Sequence, residues 1–538
     1  MTIDQPLWWQ SGIIYQIYPR SFQDSNADGV GDLPGISTRV DYLEQLGIDA
    51  VWLSPFYPSP MADFGYDVSN YTDVDPLFGT LQDFDDLTEA LHQRGMKIMI
   101  DYIPNHSSDQ HPWFQQALLG RDNPYRDWYV WADAGENGGP PNNWLSVFGG
   151  PAWEWEPRSR QYYLHSFLKE QPDLNWRNPR LKQAMLDVLR FWLDRGVDGF
   201  RIDAAHFIAK DPDFRDNPPN PAGRTDFKAK GAYDSQLHLH DVGRPEGHET
   251  FREIRSLLDS YPTPRCSIGE IHVSDWREWA GYYGTQLDEL HFPYNFNLLA
   301  VPWTADAVGA VVDASEAALP AGAWPNFVLG NHDEHRIASR VGVSQARAAM
   351  MLLLTLRGTP TIYYGDEIGM TDVMIPPDRA RDPWGLRVAG LDLGRDPQRT
   401  PMQWDACANA GFCPAAVEPW LPIGDDYTRV NAAVESAEPA SMLSLTEQLI
   451  QLRRRRPSLS VGDYQPLEGA PADCYLYTRR HGQESSLIAL NFSDEPRTVS
   501  VSNLHGDIAL STYLDRSGPA ELSGLELRPN EGLIVEIT

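Results

Sequence analysis

Short runs of apolar and β-branched residues recur along the chain at positions 13–18, 50–54, 97–102, 199–203, 266–271, 327–331 and 361–364. Among them lie longer stretches, at 35–46, 81–94, 180–195 and 345–356, whose apolar positions fall at helical spacing. Strand then helix, repeated, predicts a parallel α/β architecture, because parallel strands need crossover connections and are buried on both faces. Seven such strands and a weaker eighth near 290–297 suit a closed (β/α)₈ TIM barrel. The rhythm breaks twice. Residues 107–173 are rich in Trp, Pro, Gly and Asn and too long for a loop, so they read as a subdomain inserted after the third strand. Residues 370–426 form a second irregular excursion, holding several prolines and the pair Cys407 and Cys413. Past the basic helix end at 453–456 come short strands separated by turns, as at 474–478, 486–491 and 532–537, which predicts a C-terminal all-β sandwich over 461–538. The barrel is then shared between 1–106 and 174–460.

Composition narrows the partners. With 44 Lys and Arg against 75 Asp and Glu, the net charge of −31 repels phosphate backbones and anionic lipid heads, so neither nucleic acid nor a membrane is an expected partner. A neutral small molecule is compatible with that charge, and 18 Trp and 23 Tyr offer stacking surfaces for one. Four cysteines in 538 residues make no disulfide framework, and reduced thiols are expected, Cys407 and Cys413 included. The N-terminus lacks the basic and apolar regions of a signal peptide, and no run approaches ~18 apolar residues. A cytoplasmic protein is the expectation, as a monomer or homodimer.

In a barrel, chemistry gathers at the C-terminal strand ends. The third strand run leads to Asp101 and then Asn105 and His106, the fourth to Arg201 and Asp203, the fifth to Glu270 and His272, the seventh to Asn331, His332 and Asp333. One carboxylate at a strand end is usually a salt bridge or a cap. Three carboxylates with two histidines and an arginine on neighbouring ends point to a reaction centre. No phosphate-cradling Gly-rich loop, GxGxxG, HExxH or CxxC pair is present, which leaves nucleotide and zinc chemistry unsupported. Paired carboxylates beside aromatics fit glycosyl transfer, in which one attacks the anomeric carbon and the other protonates the leaving oxygen.

The blocks IDYIPNH (100–106), GFRIDAAH (199–206), GEI (269–271) and NHD (331–333) resemble, in order, the signatures of the α-amylase family of glycoside hydrolases. QPDLN (171–175) and RTPMQW (399–404) are similar to its oligo-1,6-glucosidase and α-glucosidase branch. The resemblance implies a retaining enzyme acting on small α-glucosides, with Asp203 as nucleophile, Glu270 as general acid/base and Asp333 as the third acid. It implies that His106 and His332 bind sugar hydroxyls, and that Asp63 and Tyr66 hold the non-reducing glucose. Arg201, two residues before Asp203, points to the same side of the strand and can hold that carboxylate aimed. Arg399 is expected to pair with Asp63 and close the pocket, which means an exo-acting enzyme. In relatives, Val in place of Ala204 accompanies α-1,6 preference and Ala or Thr accompanies α-1,4, so maltose-type bonds are the expected substrates.

The loop Asp24-Ser-Asn26-Ala-Asp28-Gly-Val30-Gly-Asp32 alternates oxygen ligands with Gly at the sixth position, like the start of an EF-hand loop. Asp24, Asn26, Asp28, Asp32 and the Val30 carbonyl can surround one hard cation, and the resemblance implies structural calcium, with magnesium as the alternative. Sucrose isomerases of the family carry an RLDRD-like loop where this chain reads LDLGRD (391–396), which disfavours isomerisation. A dedicated transglucosidase, or a sucrose- or trehalose-directed enzyme, stays open. Dead relatives in transporter subunits lose the carboxylates and carry a membrane span, unlike this chain.

Overall fold

The computed structural model describes residues 6–537, apart from 224, 226 and 502–504. Eight parallel strands form one sheet: Ile14–Ile17, Ala50–Leu53, Lys97–Tyr102, Gly199–Ile202, Cys266–Gly269, Phe292–Pro293, Asn326–Val328 and Thr359–Tyr363. The last strand returns to the first, so Ile14 pairs with Thr361 on one side and Ala50 on the other, which curls the sheet into a (β/α)₈ barrel. The ladder is open only between the sixth and seventh strands, the sixth being two residues long. There Asn326 takes over the closing, donating to the Pro293 carbonyl at 2.6 Å and accepting the Asn295 N–H at 3.2 Å.

Local chemistry sets the helix starts. Leu81–Gln93 opens on a capping box between Thr80 and Asp83, and Pro179–Asp194 on Asn178, whose side chain accepts the Arg180 and Leu181 N–H groups. The stretch expected as one helix over 35–46 is two, Leu33–Ser37 and Val40–Leu46. Thr38 Oγ1 donates to the Gly35 carbonyl at 2.7 Å and ends the first, while Arg39 leaves helical geometry with its guanidinium 4.1 Å from the Trp404 ring.

The segment between the third and fourth strands leaves and rejoins the barrel at adjacent points, where His106 bridges Asp173 and Tyr129 bridges Leu174. It carries a three-stranded antiparallel sheet of Trp131–Asp133, Gln161–Leu164 and Trp153–Glu156. The C-terminal part has a six-stranded antiparallel sheet and a two-stranded one, Arg497–Val499 with Leu525–Leu527, around a core that includes Leu487, Val499, Leu522 and Val535. Helix Val343–Thr355 runs between barrel and β region and is buried on nearly all sides. Next to it the buried Arg453 donates to the Leu354, Leu356, Gly358 and Leu459 carbonyls at 2.6–3.2 Å, using one guanidinium to satisfy the chain at that helix end. All four cysteines are unbonded, and among the described residues no helix is long and apolar enough to cross a membrane.

Candidate active site

The fourth strand delivers Arg201 and Asp203 to one side, as alternation along a strand requires. Arg201 Nη1 lies 2.5 Å from Asp203 Oδ1 and 3.5 Å from Asp101 Oδ2, and its Nη2 lies 2.9 Å from Glu270 Oε1. One buried guanidinium therefore joins the ends of the third, fourth and fifth strands. Burial, with the charges of Glu270 and Asp101, pushes the Asp203 carboxyl well above the usual range against the pull of Arg201. Burial likewise pushes Asp101 up to about 6 despite Arg201. Three carboxylates thus share one cation, and burial opposes ionisation of Asp203 and Asp101.

Ala204 turns the chain at the strand end with φ 42° and ψ 38°, in the left-handed region. That turn aims its N–H at Glu270 Oε2, 2.7 Å away. Glu270 is thus held by Arg201 on one oxygen and a backbone N–H on the other, with His272 Nε2 3.5 Å from the first.

Asp333 lines the same cavity as Asp203 and Glu270. Its Oδ1 meets Arg399 Nη2 at 2.8 Å and Arg395 Nη1 at 3.3 Å, and its Oδ2 lies 3.4 Å from His332 Nε2. Burial works against its charge, yet His332, Arg395 and Arg399 outweigh it and hold the carboxyl well below the usual range. His332 is pinned from both ring nitrogens, by Gln16 Nε2 at 2.8 Å and the Tyr66 hydroxyl at 2.5 Å, and its ring stacks on Tyr66. Tyr66 in turn donates to Asp101 at 2.8 Å. Burial lowers His106 to about 4, so it meets a ligand as a neutral ring, beside Gln171 Nε2 at 3.1 Å.

One pairing differs from expectation. The partner of Asp63 is Arg395, at 2.7 Å, and Arg399 instead holds Asp333 and donates to the His332 carbonyl at 2.7 Å. The two arginines flank the short turn Asp396–Gln398 and converge on Asp333 Oδ1, Arg399 at 2.8 Å and Arg395 at 3.3 Å. Arg395 lies four residues before the motif RTPMQW, which leaves it out. Two further floor residues are Asp382, 2.6 Å from Arg395, which no motif announced, and Gln171, 3.2 Å from Asp63, which opens the block QPDLN without having been singled out.

Asp63, Tyr66, His106, Asp203, Ala204, Glu270 and Asp333 line one cavity of about 470 Å³, and Arg201, His332 and Arg399 stand directly behind them. The same cavity is lined by side chains that no motif marks, among them Phe148, Phe227, Phe296 and Trp384. The loop from Asp24 to Asp32 lies outside the cavity: Asp24 N–H donates to the Phe412 carbonyl and the Gly29 carbonyl accepts from Trp420. Its turns are tied by side-chain oxygens. Asp24 accepts the N–H groups of Asn26, Ala27 and Gly29 at 2.7–3.0 Å, Asn26 that of Asp28, and Asp28 that of Val30. Asp32 caps the helix Leu33–Ser37. As placed, no three His, Cys, Asp or Glu side chains among the described residues gather into a cation cage.

Comparison with known proteins follows the same outline. The profile of the alpha-amylase catalytic domain matches residues 16–462. A probable alpha-glucosidase of Rhizobium meliloti is 43% identical over 91% of this chain and 90% of its own length. An oligo-1,6-glucosidase of Parageobacillus thermoglucosidasius is 36% identical over 99% of both chains. Among solved structures, an alpha-glucosyl transfer enzyme superposes with a TM-score of 0.94 at 40% identity, over 99% of this chain and 100% of the other.

Proposed function

The chain belongs to the alpha-amylase family and is a glycoside hydrolase; from that premise we propose a retaining, exo-acting α-glucosidase that takes one glucose from the end of a small α-glucoside. The observation that carries this reading is the grouping of Asp203 and Glu270 on two nitrogens of one guanidinium, with Asp333 lining the same cavity. Retaining enzymes need their two carboxyl groups close, ~5–5.5 Å apart, whereas inverting ones leave room for a water between them. In this reading the terminal glucose rests on the floor, its hydroxyls met by Asp63, His106 and Arg395, its ring against Tyr66. Asp203 attacks the anomeric carbon while Glu270 gives its proton to the leaving oxygen. Arg201 steadies the carboxylate that Asp203 becomes when it departs, and Asp333, kept ionised by its arginines, stabilises the oxocarbenium-like charge. Water then releases α-glucose, with Glu270 taking back a proton.

The floor supports exo action: the salt bridges of Asp63 and Arg395 stand where an open cleft would have to continue. The small methyl of Ala204, on the cavity wall next to the nucleophile, favours α-1,4 over α-1,6 bonds. Proton NMR of the first product tests the mechanism. α-Glucose is expected, and Asp203→Ala should lose several orders of magnitude in turnover; β-glucose as first product overturns the reading. A second activity, glucosyl transfer to another alcohol, is favoured by the apolar side chains of the cavity and uses the same residues.

We also assign a structural cation, calcium or magnesium, to Asp24, Asn26, Asp28, Asp32 and the Val30 carbonyl. The donors are all hard oxygens, and the side-chain-tied turns hold them on one loop. The ion would brace that loop against residues 412–420 and take no part in the chemistry. Asp28→Ala should lower the melting temperature and abolish its dependence on added calcium; an unchanged calcium response counts against the site. The four unbonded cysteines support a cytoplasmic setting.

A further inference from the structure

Gln16 lies on the first barrel strand and is fully buried. Its amide nitrogen is 2.8 Å from His332 Nδ1 and 3.2 Å from Ser54 Oγ. A buried chain starts there. The other ring nitrogen of His332, Nε2, lies 2.5 Å from the Tyr66 hydroxyl, and that hydroxyl lies 2.8 Å from Asp101 Oδ2. Asp101 Oδ1 accepts the Trp52 indole N–H at 2.9 Å, and Arg201 Nη1 is 3.5 Å from Oδ2.

Burial holds His332 well below the usual imidazole range, so the ring carries one proton, on Nε2 or on Nδ1. The two choices run the chain in opposite directions. With the proton on Nε2, Gln16 donates to Nδ1, His332 donates to the Tyr66 oxygen, and Tyr66 donates to the Asp101 carboxylate. With the proton on Nδ1, Gln16 must turn its amide to accept it and Tyr66 must donate to His332. Asp101 must then take up a proton, or face the Tyr66 oxygen with none between them. The amide itself does not choose, since either orientation leaves one of its end atoms short of a partner. As placed, that atom is Oε1, which has none among the described residues. The far end of the chain chooses. Asp333 Oδ2 is 3.4 Å from His332 Nε2 and its carboxyl is held well below the usual range, so a proton on Nε2 is attracted and a lone pair there is repelled. Arg201 favours the ionised form of Asp101 against burial.

We propose that Gln16 is a positioning residue for the glucosidase reaction: its amide keeps the His332 proton on Nε2, so that the ring donates toward Tyr66 and Asp333. The inference rests on the retaining reading above, in which Tyr66 carries the glucose ring and Asp333 stabilises the developing charge. Gln16 touches neither group and acts on both through one imidazole.

Two substitutions test it. Gln16→Met keeps the length of the side chain and removes the donor, so kcat/KM for maltose should fall about 3–10-fold at every pH, the scale of one net hydrogen bond. Gln16→Glu makes the donor conditional. Its protonated carboxyl donates to Nδ1 as the amide does, whereas its carboxylate requires a proton on Nδ1. The ratio of its kcat/KM to the native value should therefore be highest at acid pH and fall by roughly 10-fold as the carboxyl ionises, a trend that Gln16→Met lacks. The charged groups facing His332, namely Asp333, Arg399, Arg201 and Arg395, are common to all three enzymes. Nitrogen-15 NMR of the histidine rings, with His332→Gln to assign the signal, reads the tautomer without turnover, and Nε2–H is expected in the native enzyme. A native Nδ1–H ring overturns the inference. So does native kcat/KM in Gln16→Met, or a Gln16→Glu enzyme that parallels Gln16→Met across the pH range. If maltose gives β-glucose first, the retaining reading falls and the NMR result still stands by itself. α-Glucose from an enzyme with an Nδ1–H ring removes the inference alone.

Discussion

At the floor of the cavity Arg395 reaches Asp63 at 2.7 Å, Asp382 at 2.6 Å and Asp333 at 3.3 Å, all with little exposed surface. At the mouth Lys228 holds one carboxylate, Glu334, at 2.8 Å, and both side chains are about a quarter exposed, 26% and 25%. The two cations line the same space and do different things. Arg395 stands in a closed net in which every charge depends on the others; Lys228 is one strand of a rim whose walls are aromatic. Cost explains the difference. Buried charges are tolerated only when paired and hydrogen-bonded, so the floor admits few alternatives, while a quarter-exposed pair is partly screened by water. On the proposed reading, the positions that hold the glycosyl group are fixed by electrostatics and those around the leaving group by shape.

The comparison breaks most visibly at Arg395. Arg395→Met keeps the bulk of the side chain and strands Asp63 and Asp382 as buried carboxylates, a disruption worth ~3–5 kcal/mol. Where that loss falls on substrate binding and the transition state, kcat/KM drops by about 10²–10⁴-fold, and the melting temperature falls as well. Steady-state kinetics with maltose and a thermal melt measure both. A loss under tenfold means the net does not hold the glucose, and the contrast between floor and mouth disappears.

Ala204 joins the two regions, and its substitution sharpens the comparison by a smaller amount. At φ 42° a β-branched residue is strained, and its methyls stand at the cavity wall beside Asp203. Ala204→Val is expected to shift the maltose-to-isomaltose rate ratio toward isomaltose by about tenfold, within the range that one or two methyl groups command. Initial rates on the two disaccharides decide it. Should both rates fall together with the ratio unchanged, the residue acts only through its N–H to Glu270, and specificity belongs to the aromatic mouth alone.

Legibility in the sequence followed locality. The barrel strands were readable because each is a short apolar run, and the sixth was weak because the folded strand is only Phe292–Pro293. The candidate catalytic carboxylates were readable because each lies in a recognisable block, Asp203 and Glu270 directly after a strand and Asp333 five residues beyond one. The Asp63 partner was misplaced by four residues: Arg395 and Arg399 both reach Asp333, and Arg395 is the one that reaches Asp63. The apolar mouth was not readable at all: Phe148, Phe227, Phe296 and Trp384 come from four separate segments, and only the closed barrel brings them together. Asp382 was equally hidden, a carboxylate in the irregular excursion with no periodicity around it. A residue whose role depends on one distant neighbour leaves no pattern in its own neighbourhood.

Lys228 marks the lower end of the scale. Its ion pair with Glu334 is partly exposed, and such pairs contribute about 0–1 kcal/mol. Its ammonium also lies 4.7 Å from the centre of the Trp384 ring, a contact that a neutral, unbranched side chain partly replaces. Lys228→Met should therefore change kcat/KM for maltose or a simple alkyl α-glucoside by less than about threefold, and added salt should affect the two enzymes alike. The opposite outcome is informative in a definite direction. If the variant loses more than about 30-fold on a substrate whose leaving group carries a phosphate or carboxylate, while small neutral glucosides are unaffected, the cation at the mouth reads charge. The mouth would then be an anion site in aromatic surroundings, and the division between an electrostatic floor and a shape-selective mouth would have to be redrawn. Parallel kinetics on a neutral and an anionic glucoside, at two salt concentrations, separate the two cases because a charge contact to substrate weakens with salt and an apolar one does not.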